Sequence, residues 1–440
     1  MATSPKCSPS AEPPPPPPLP PPAASPATRL VYLCDWLPPD FGAVGQYSLL
    51  FARERAAAGE DVVLAGLSTG PGSATDEAVG NGRLRVVRRR APAYDRANLR
   101  QRALWTVRTN LSLLWGVRRF LRRADEILIT GSPPFLLHFA APVAALLRRR
   151  LRYRITDFHP ECLMAEIADR RDPGDLGDPG DPGKHRVPAA LRAFHRLTVA
   201  LRRRAVAGFE VLGEDQRRRL LAQGIAAERI QVKRDPSPVA IAAGTEPLPP
   251  PPELAGRCLL LYSGNFGVAH DHATLLAGYR LHHRRGSGRV GLWLNATGAK
   301  ADLVERELRD TGLPFHRGRP LPLAELPRLL VTPDAHLVTL RDPFVGYVLP
   351  SKIYGCLESR RDVLYVGSRL SDVHLLGSQA TARGGSGYLQ VETGDAEGLA
   401  AALETIADRA GAAAAAAAPA DRQAPIHGEA PLNSSAKRSQ

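Results

Sequence analysis

The stretch Val348-Leu349-Pro350-Ser351-Lys352-Ile353-Tyr354-Gly355 and the earlier stretch Tyr262-Ser263-Gly264-Asn265-Phe266-Gly267 decide the fold of this chain. Each places small residues where a predicted strand passes into a predicted helix, so backbone N–H groups at the helix start are left free to bind an anion. Pro350 suits the first turn of a helix, and Lys352 adds a positive charge beside it. Together the two stretches predict a pocket for a diphosphate.

Length and charge limit the kind of protein this can be. At 440 residues, of which 44% are apolar, the chain is long enough for two domains, each with its own core. The formal net charge of +14 favours anionic partners, which include phosphorylated small molecules, anionic lipid surfaces and nucleic acid. The charge alone does not choose among them.

The five cysteines lie far apart and include no C-x-x-C pair, so neither a disulfide framework nor a zinc site is predicted. Reduced thiols in the cytoplasm are the simplest interpretation. A proline-rich start stands where a signal peptide needs an apolar segment, and no run reaches the roughly 18 apolar residues of a spanning helix. The nearest is residues 133–147, followed by Arg148, Arg149 and Arg150. It predicts a buried amphipathic helix, with a peripheral contact to the inner face of a membrane as the alternative.

Composition divides the chain into two ordered blocks with low-complexity ends. Residues 1–28 form a Pro-rich tail and residues 411–440 an Ala/Pro-rich tail, and both are predicted to be disordered. The proline-rich segment 236–257 is predicted to link an amino-terminal domain, 29–235, to a carboxyl-terminal domain, 258–410.

Each block alternates apolar strand patterns with helical patterns. In the first block, residues 30–34 and 61–65 flank a helical pattern, which indicates a βαβ unit. The second block begins the same way, with a strand at 259–262 and a glycine turn. The predicted fold class is therefore α/β, with two Rossmann-like domains facing a cleft, because open parallel sheets bind ligands at the carboxyl ends of their strands.

Four short segments carry a resemblance to a known family. They are residues 35–42 with Gly45, residues 156–161, residues 262–267 and residues 350–352, in that order along the chain. The ordered set resembles the GT-B glycosyltransferases of family 4, in particular bacterial members that act in polysaccharide or glycolipid assembly. The resemblance implies transfer of a sugar from a nucleotide-diphosphate sugar to a polysaccharide precursor or a lipid-linked acceptor. It also implies retention of the anomeric configuration, no metal, and no cofactor, because the nucleotide sugar is a substrate.

In enzymes of this type, charge that develops on the departing diphosphate must be stabilised by fixed donors and cations. The residues that the resemblance assigns to the donor diphosphate are Gly264, Asn265, Gly267, His270, Arg341, Ser351 and Lys352. Without the resemblance, an ordinary βα turn and a capped surface helix with a solvated lysine would explain the same residues.

His159 is the candidate catalytic residue of the first domain. It follows a strand predicted over residues 153–157, at the place where retaining GT-B enzymes often carry a histidine beside the reacting sugar. Asp157 and Glu161 flank it, and either carboxylate could orient the imidazole or accept the proton of the acceptor hydroxyl. A loop histidine with two solvated acids is the alternative interpretation.

Gly42 and Gly45 open the first predicted helix and are assigned to the cleft. Residues this small could admit an acceptor or the donor diphosphate between the domains. Tight packing of the first βα turn is the alternative.

Two departures from the family pattern leave a second function open. Many members carry a pair of glutamates where this chain has Tyr347 and Gly355. An Arg and a Lys that many members carry after the first glycine of the turn are replaced as well, so Lys352 is the principal remaining cation. The alternative function is a catalytically degenerate GT-B scaffold that binds nucleotide or partner proteins.

Other classes of function fit the sequence less well. The arginine runs are scattered over predicted helix ends with no reader motif, which argues against nucleic-acid binding. The first βα turn lacks the Gly-x-Gly-x-x-Gly of a nicotinamide dehydrogenase. No Asp-x-Asp metal motif stands in a suitable setting, and the aspartates of residues 172–182 are separated by Pro and Gly, which suits a mobile loop better than a metal site.

Overall fold

The computed structural model describes residues 28–40, 43–92, 99–169 and 187–417. Gly42, a segment at 170–186 that is rich in Asp-Pro-Gly, and most of the two predicted tails lie outside the described residues. The described residues form two sheets, each covered by helices, and the two sheets lie on opposite sides of the 236–257 segment in the chain.

The first domain is built on an eight-stranded sheet. Its strands are β1 Arg29–Trp36, β2 Asp61–Ser68, β3 Ser73–Val79, β4 Gly82–Arg90, β5 Glu126–Thr130, β6 Arg150–Ile155, β7 Gly208–Val211 and β8 Ile230–Val232. Its helices are α1 Ala43–Ala57, α2 Leu99–Leu121, α3 Leu136–Leu146, α4 Glu161–Ala168, α5 Ala189–Ala205 and α6 Glu214–Ala222. The sheet order is β3-β4-β2-β1-β5-β6-β7-β8, and only β3 runs antiparallel to its neighbour. The central strands are continuous apolar runs because helices cover both faces of the parallel sheet.

The second domain carries a six-stranded, fully parallel sheet in the order β11-β10-β9-β12-β13-β14. Its strands are β9 Cys258–Asn265, β10 Val290–Thr297, β11 Phe315–Arg317, β12 Ala335–Thr339, β13 Asp362–Val366 and β14 Tyr388–Val391. Its helices are α7 Ala273–Arg285, α8 Ala299–Asp310, α9 Leu326–Val331, α10 Lys352–Glu358, α11 Asp372–Ala382 and α12 Ala396–Ala417. α12 continues past residue 410 into the segment predicted to be a tail, because a run of alanines is a strong helix former.

Each sheet contains one point where the strand order reverses. In the first sheet the chain moves outward from β1 through β2 and returns to β5 on the other side of β1. In the second it moves outward from β9 through β10 and β11 and returns to β12. The crevices outside the carboxyl ends of β1/β5 and of β9/β12 are therefore the expected ligand sites.

An apolar cluster joins the two domains. Cys162 of α4 and Leu212 of the first domain pack with Leu340, Phe344 and Ile353 of the second, and all five side chains are buried. Removing this surface from water favours the closed arrangement of the domains.

A reciprocal pair of carboxylates connects α6 to α11 across the same boundary. Asp372 Oδ1 accepts a hydrogen bond from the backbone N–H of Glu214 at 3.0 Å, and Asp215 Oδ2 accepts one from the backbone N–H of Asp372 at 3.0 Å. Arg234 donates to both carboxylate oxygens of Asp372, each at 3.0 Å. Free N–H groups at a helix start need acceptors and favour negative charge. Each domain therefore supplies a cap for a helix of the other.

The helix predicted around residues 133–147 is present as α3, with one face buried and its last residue, Leu146, 83% exposed. None of the described helices is both long enough and apolar enough to span a bilayer. Within the described part of the chain the four cysteines form no disulfide.

Candidate functional site

Lys352 lies against the carboxyl end of β9, at the β9/β12 switch point. Gly264 has a φ of +117°, which side chains rarely adopt, and a Cβ placed there would lie 3.7 Å from Lys352 Cε. Lys352 Nζ is 3.3 Å from the centroid of the Tyr262 ring. This nitrogen is shielded from solvent and has no hydrogen-bond partner among the described residues. Burial disfavours the charged form and lowers the pKa of Lys352 to about 7. A desolvated amine, which a bound anion would convert to its charged form, thus lies beside the glycine turn.

An aromatic cluster forms the wall behind this lysine. Tyr262 and Phe266 stack with ring centroids 4.2 Å apart, and His270 stands edge-on to both rings. His270 Nδ1 donates to the backbone oxygen of Thr339 at 2.7 Å. Burial and the charge of Lys352 lower the pKa of His270 to about 3. His270 is therefore a neutral group that fastens the glycine turn to β12, not a second cation for the diphosphate.

The other predicted diphosphate residues lie on the glycine turn after β9 and at the start of α10. Asn265 is the exposed last residue of β9, and a Cβ on Gly267 would lie 3.2 Å from its Nδ2 atom. Ser351 directly precedes α10, and its hydroxyl does not cap that helix. The structure thus brings Gly264 to the Lys352 side chain, next to Ser351, whereas Asn265 contacts Gly267 and lies toward Gly298 at the end of β10.

Arg341, predicted as a further cation for the diphosphate, follows β12 and is already engaged. Its guanidinium forms an ion pair with Asp169 of the first domain and donates to the backbone oxygen of Val268 at 2.9 Å. The charge of Arg341 is therefore used between the domains, and Lys352 differs from it in having no carboxylate partner among the described residues.

Backbone contacts join the loop that carries Asp157, in the first domain, to the segment before Lys352. β6 ends at Ile155, two residues earlier than the strand predicted over 153–157, so Asp157 lies in the following loop. Asp157 forms an antiparallel bridge with Val348, and the N–H of Phe158 donates to the oxygen of Tyr347 at 3.0 Å. This short ladder places Asp157 beside the segment that leads into Lys352.

Asp35 is a site residue that sequence reasoning missed. It lies at the carboxyl end of β1, and its Oδ2 accepts a hydrogen bond at 2.5 Å from Ser132 Oγ, which follows β5. Burial and the charge of Asp35 raise the pKa of Asp157 to about 6. The two carboxylates therefore share the β1/β5 side of the interface. The position of Asp35 at the end of the first strand was a usable signal, but its partner is 97 residues away.

His159 lies in the same loop, next to Asp157. Its ring is edge-on to Phe135, with centroids 6.2 Å apart, and its backbone oxygen accepts from Arg202 Nη2 at 3.1 Å. The structure therefore holds His159 by its ring and by its backbone.

Glu161, predicted to orient His159 or to accept a proton, is committed to a buried ion pair. It pairs with the fully buried Arg202 and accepts from Gln223 Nε2 at 2.9 Å. Burial alone would raise the pKa of Glu161, but hydrogen bonding from His195 and the charge of Arg202 outweigh it and hold the pKa well below its usual range. Its role is to fix the loop that carries His159, because a carboxylate so strongly paired is a poor proton acceptor.

Gly45 and the two positions where many family members carry glutamates, Tyr347 and Gly355, make packing contacts. A Cβ on Gly45 would lie 1.7 Å from the backbone oxygen of Trp36, so this glycine allows α1 to approach β1, as the packing alternative expects. The Arg219 guanidinium stacks 4.3 Å from the Tyr347 ring, and a Cβ on Gly355 would lie 3.2 Å from Leu330. The two positions where glutamates were expected thus serve contacts between elements.

Metal binding has no evident place in this part of the molecule. Among the described residues, no three His, Cys, Asp or Glu side chains are grouped so that they could hold a metal ion.

Comparison with known proteins agrees with this architecture. A family model described as a glycosyl transferase 4-like domain matches residues 42–234. No curated protein sequence matches the chain with significant similarity.

Solved structures match over both domains. Anabaena HepE in complex with UDP and glucose is 12% identical and has a TM-score of 0.52, with 88% of this chain and 94% of that chain covered. A trehalose-6-phosphate structure from E. coli bound with UDP-2-fluoro glucose is 13% identical, with a TM-score of 0.52 and coverages of 86% and 91%. The lipopolysaccharide outer core galactosyltransferase WaaB in its apo form is 11% identical, with a TM-score of 0.50 and coverages of 87% and 91%. The predicted fold class is confirmed by these matches. The chain therefore has the fold of the GT-B glycosyltransferases, and its residues 42–234 match the model of a glycosyl transferase 4-like domain.

Proposed function

We propose that this enzyme transfers a sugar from a UDP-sugar to a glycan precursor or a lipid-linked acceptor, with retention of the anomeric configuration and without a metal ion. The observation that carries the proposal is Lys352 Nζ, which is desolvated, lacks a partner among the described residues and lies beside Gly264. A buried cation without a counter-ion is costly to keep. A diphosphate bound at the glycine turn would supply the missing negative charge.

The chemistry assigns a role to this charge. Transfer breaks the bond between the anomeric carbon and the diphosphate and forms a bond from that carbon to the acceptor oxygen. Negative charge therefore grows on the diphosphate, where a positioned ammonium group of low solvent exposure is most effective. The acceptor hydroxyl loses a proton, and Asp157, whose pKa is raised to about 6, is the proposed group to receive it.

The similar structures support the donor and acceptor classes. HepE was solved with UDP and glucose, and the E. coli structure with UDP-2-fluoro glucose. WaaB is described as a lipopolysaccharide outer core galactosyltransferase. The unpaired cysteines of the described residues fit the cytoplasm, which is the proposed location.

Nucleotide binding and turnover test the proposal. Purified protein is titrated with UDP, GDP and ADP by calorimetry, and UDP release from UDP-sugars is followed with and without glycan acceptors. We expect UDP to bind, and Lys352→Ala to weaken binding while the matched variant Lys233→Ala leaves it unchanged. A protein that binds none of the three nucleotides and consumes no UDP-sugar would disprove the function.

The second candidate is the degenerate scaffold, and the packing roles of Tyr347 and Gly355 favour it. A scaffold of this kind binds UDP through Lys352 but releases no UDP from any UDP-sugar. Binding without turnover across the donor series would therefore select this function over transfer.

A further inference from the structure

The outer face of α2 has the reverse of the pattern expected for a surface helix. Its exposed large apolar residues are Leu104 (51%), Val107 (42%), Leu111 (53%) and Trp115 (65%). Their spacing of three and four residues puts them on one side of the helix. The polar side chains of Thr109 and Asn110 are instead buried, and Asn110 Nδ2 donates to the backbone oxygen of Pro134 at 3.1 Å. Besides a buried apolar side that includes Leu113 and Val117, this helix thus presents a second row of apolar side chains to solvent.

α3 extends this apolar surface. Its last residue, Leu146, is 83% exposed. With Val143 and Leu147 it lines a groove of about 690 Å³ whose other wall includes Leu111 and Trp115 of α2. Contiguous exposed apolar surface on this scale is unusual for a protein face that meets only water, and it marks an interaction site. We call it the α2–α3 face.

Arginines line the groove, and none of the described residues that line it is acidic. Arg89, Arg108, Arg118 and Arg122 line it, and three further arginines follow α3 at residues 148–150. Residues 99–156 contain only two acidic residues, Asp125, which accepts a hydrogen bond from the backbone N–H of Arg29 at 2.9 Å, and the buried Glu126. The Arg118 guanidinium lies 4.3 Å from the Trp115 ring centroid. The apolar surface is thus bordered by arginines, with no carboxylate among the described residues that line the groove.

We propose that the α2–α3 face docks onto an anionic phospholipid bilayer. Leucines and the indole of Trp115 would enter the boundary between headgroups and acyl chains, and the arginines would bind lipid phosphates. A second copy of the chain is a poor occupant, because a two-fold contact would oppose arginines to arginines with no carboxylate between them. The inference does not depend on the donor site, because the face belongs to the first domain and contains none of the diphosphate residues.

Vesicle sedimentation of the full-length protein tests the docking. Vesicles of phosphatidylcholine alone are compared with vesicles that also contain phosphatidylglycerol, at low and high salt. The wild type is expected to partition onto the anionic vesicles and to be released by salt, since exposed charges are screened. Trp115→Ser should lower the partition coefficient about tenfold. A double variant that combines Arg118→Glu with Arg122→Glu should lower it at least about twentyfold.

Matched variants separate docking from general surface effects. Leu370→Ser changes a leucine that is 70% exposed in the second domain, and Arg306→Glu reverses an exposed charge on α8. Both should partition like the wild type, and all variants should keep the wild-type melting temperature. Wild-type protein that shows no preference for anionic vesicles, or α2–α3 variants that partition unchanged, would overturn the proposal. Self-association in solution that the same substitutions abolish would overturn it as well, and would identify a second copy as the occupant.

Discussion

Replacing Lys352 with methionine should stabilise the free protein and weaken UDP binding at the same time. Lysine at this position is desolvated over the Tyr262 ring with no counter-ion among the described residues. Methionine has a similar length, keeps a favourable contact with the ring and carries no charge. The substitution therefore removes a cost of folding together with the proposed ligand of the diphosphate.

The size of both effects follows from the structure. Burial lowers the pKa of Lys352 from 10.5 to about 7, and each pKa unit corresponds to about 1.4 kcal/mol. The upper limit of the cost is thus about 5 kcal/mol, and the attraction of the ammonium to the ring offsets about 0.5–2 kcal/mol of it. We expect a gain in stability of about 1–4 kcal/mol. Losing a charge-assisted bond worth about 1.5–3 kcal/mol should weaken UDP binding by roughly tenfold to a hundredfold.

Urea unfolding at pH 7, with and without UDP, measures both quantities. Lys233→Met is the control, because Lys233 Nζ also lies over an aromatic ring, at 4.3 Å from the Phe51 centroid, but its side chain is 39% exposed. Its stability should change by less than about 0.5 kcal/mol. If Lys352→Met is less stable than the wild type, or binds UDP with unchanged affinity, the assignment of Lys352 as an uncompensated diphosphate cation is wrong.

Four further outcomes are expected from the same geometry. A bound diphosphate should raise the pKa of Lys352 from about 7, so the protein takes up a proton when it binds UDP. The affinity for UDP should therefore fall by up to about tenfold per pH unit above about pH 7. Calorimetry in buffers of different ionisation enthalpy detects the proton uptake. Gly264→Ala should lower the free energy of unfolding by about 1–3 kcal/mol, because a side chain rarely adopts a φ of +117°. Gly312→Ala, in open space at a φ of +64°, should lower it less. Equal losses would show that the backbone at position 264 does not strain a side chain. The pKa of Asp157 is raised from 3.8 to about 6, so the fold loses stability as the pH rises between these two values, and the loss is complete above about pH 6. Asp157→Asn should therefore stabilise the protein at pH 8 by up to about 3 kcal/mol, measured by urea unfolding, and slow sugar transfer without changing UDP affinity. Glu161→Gln leaves the buried Arg202 without its charge partner and should lower the free energy of unfolding in urea by about 3–5 kcal/mol. A variant as stable as the wild type would contradict the buried ion pair.

Sequence patterns identified the elements that are buried on both faces. The runs at residues 30–34, 61–65 and 259–262 lie inside β1, β2 and β9. Such strands carry enough apolar residues to be recognised without knowing their neighbours. β3 was missed because it is an edge strand with the sequence SATDEAV, whose residues are almost all exposed.

The candidate site was predictable in its location but not in the state of its side chains. The glycine turn and the start of α10 have the local signals of an anion site, and the structure brings them together at Gly264 and Lys352. The desolvation of Lys352, at the start of α10, depends on Tyr262, which lies on β9, far from it in the sequence. The engagement of Arg341 by Asp169 and of Glu161 by Arg202 likewise depends on distant partners that local sequence does not reveal.

Asp215 and Asp372 each accept a hydrogen bond from the start of the other's helix, and these reciprocal caps have a thermodynamic consequence for the whole molecule. Separating the domains would expose the starts of α6 and α11 together and would leave Arg234 without its carboxylate. Neither domain can therefore lose its structure without destabilising a helix of the other. In a calorimeter, heating should give one cooperative transition for both domains, and Asp372→Ala should split it into two.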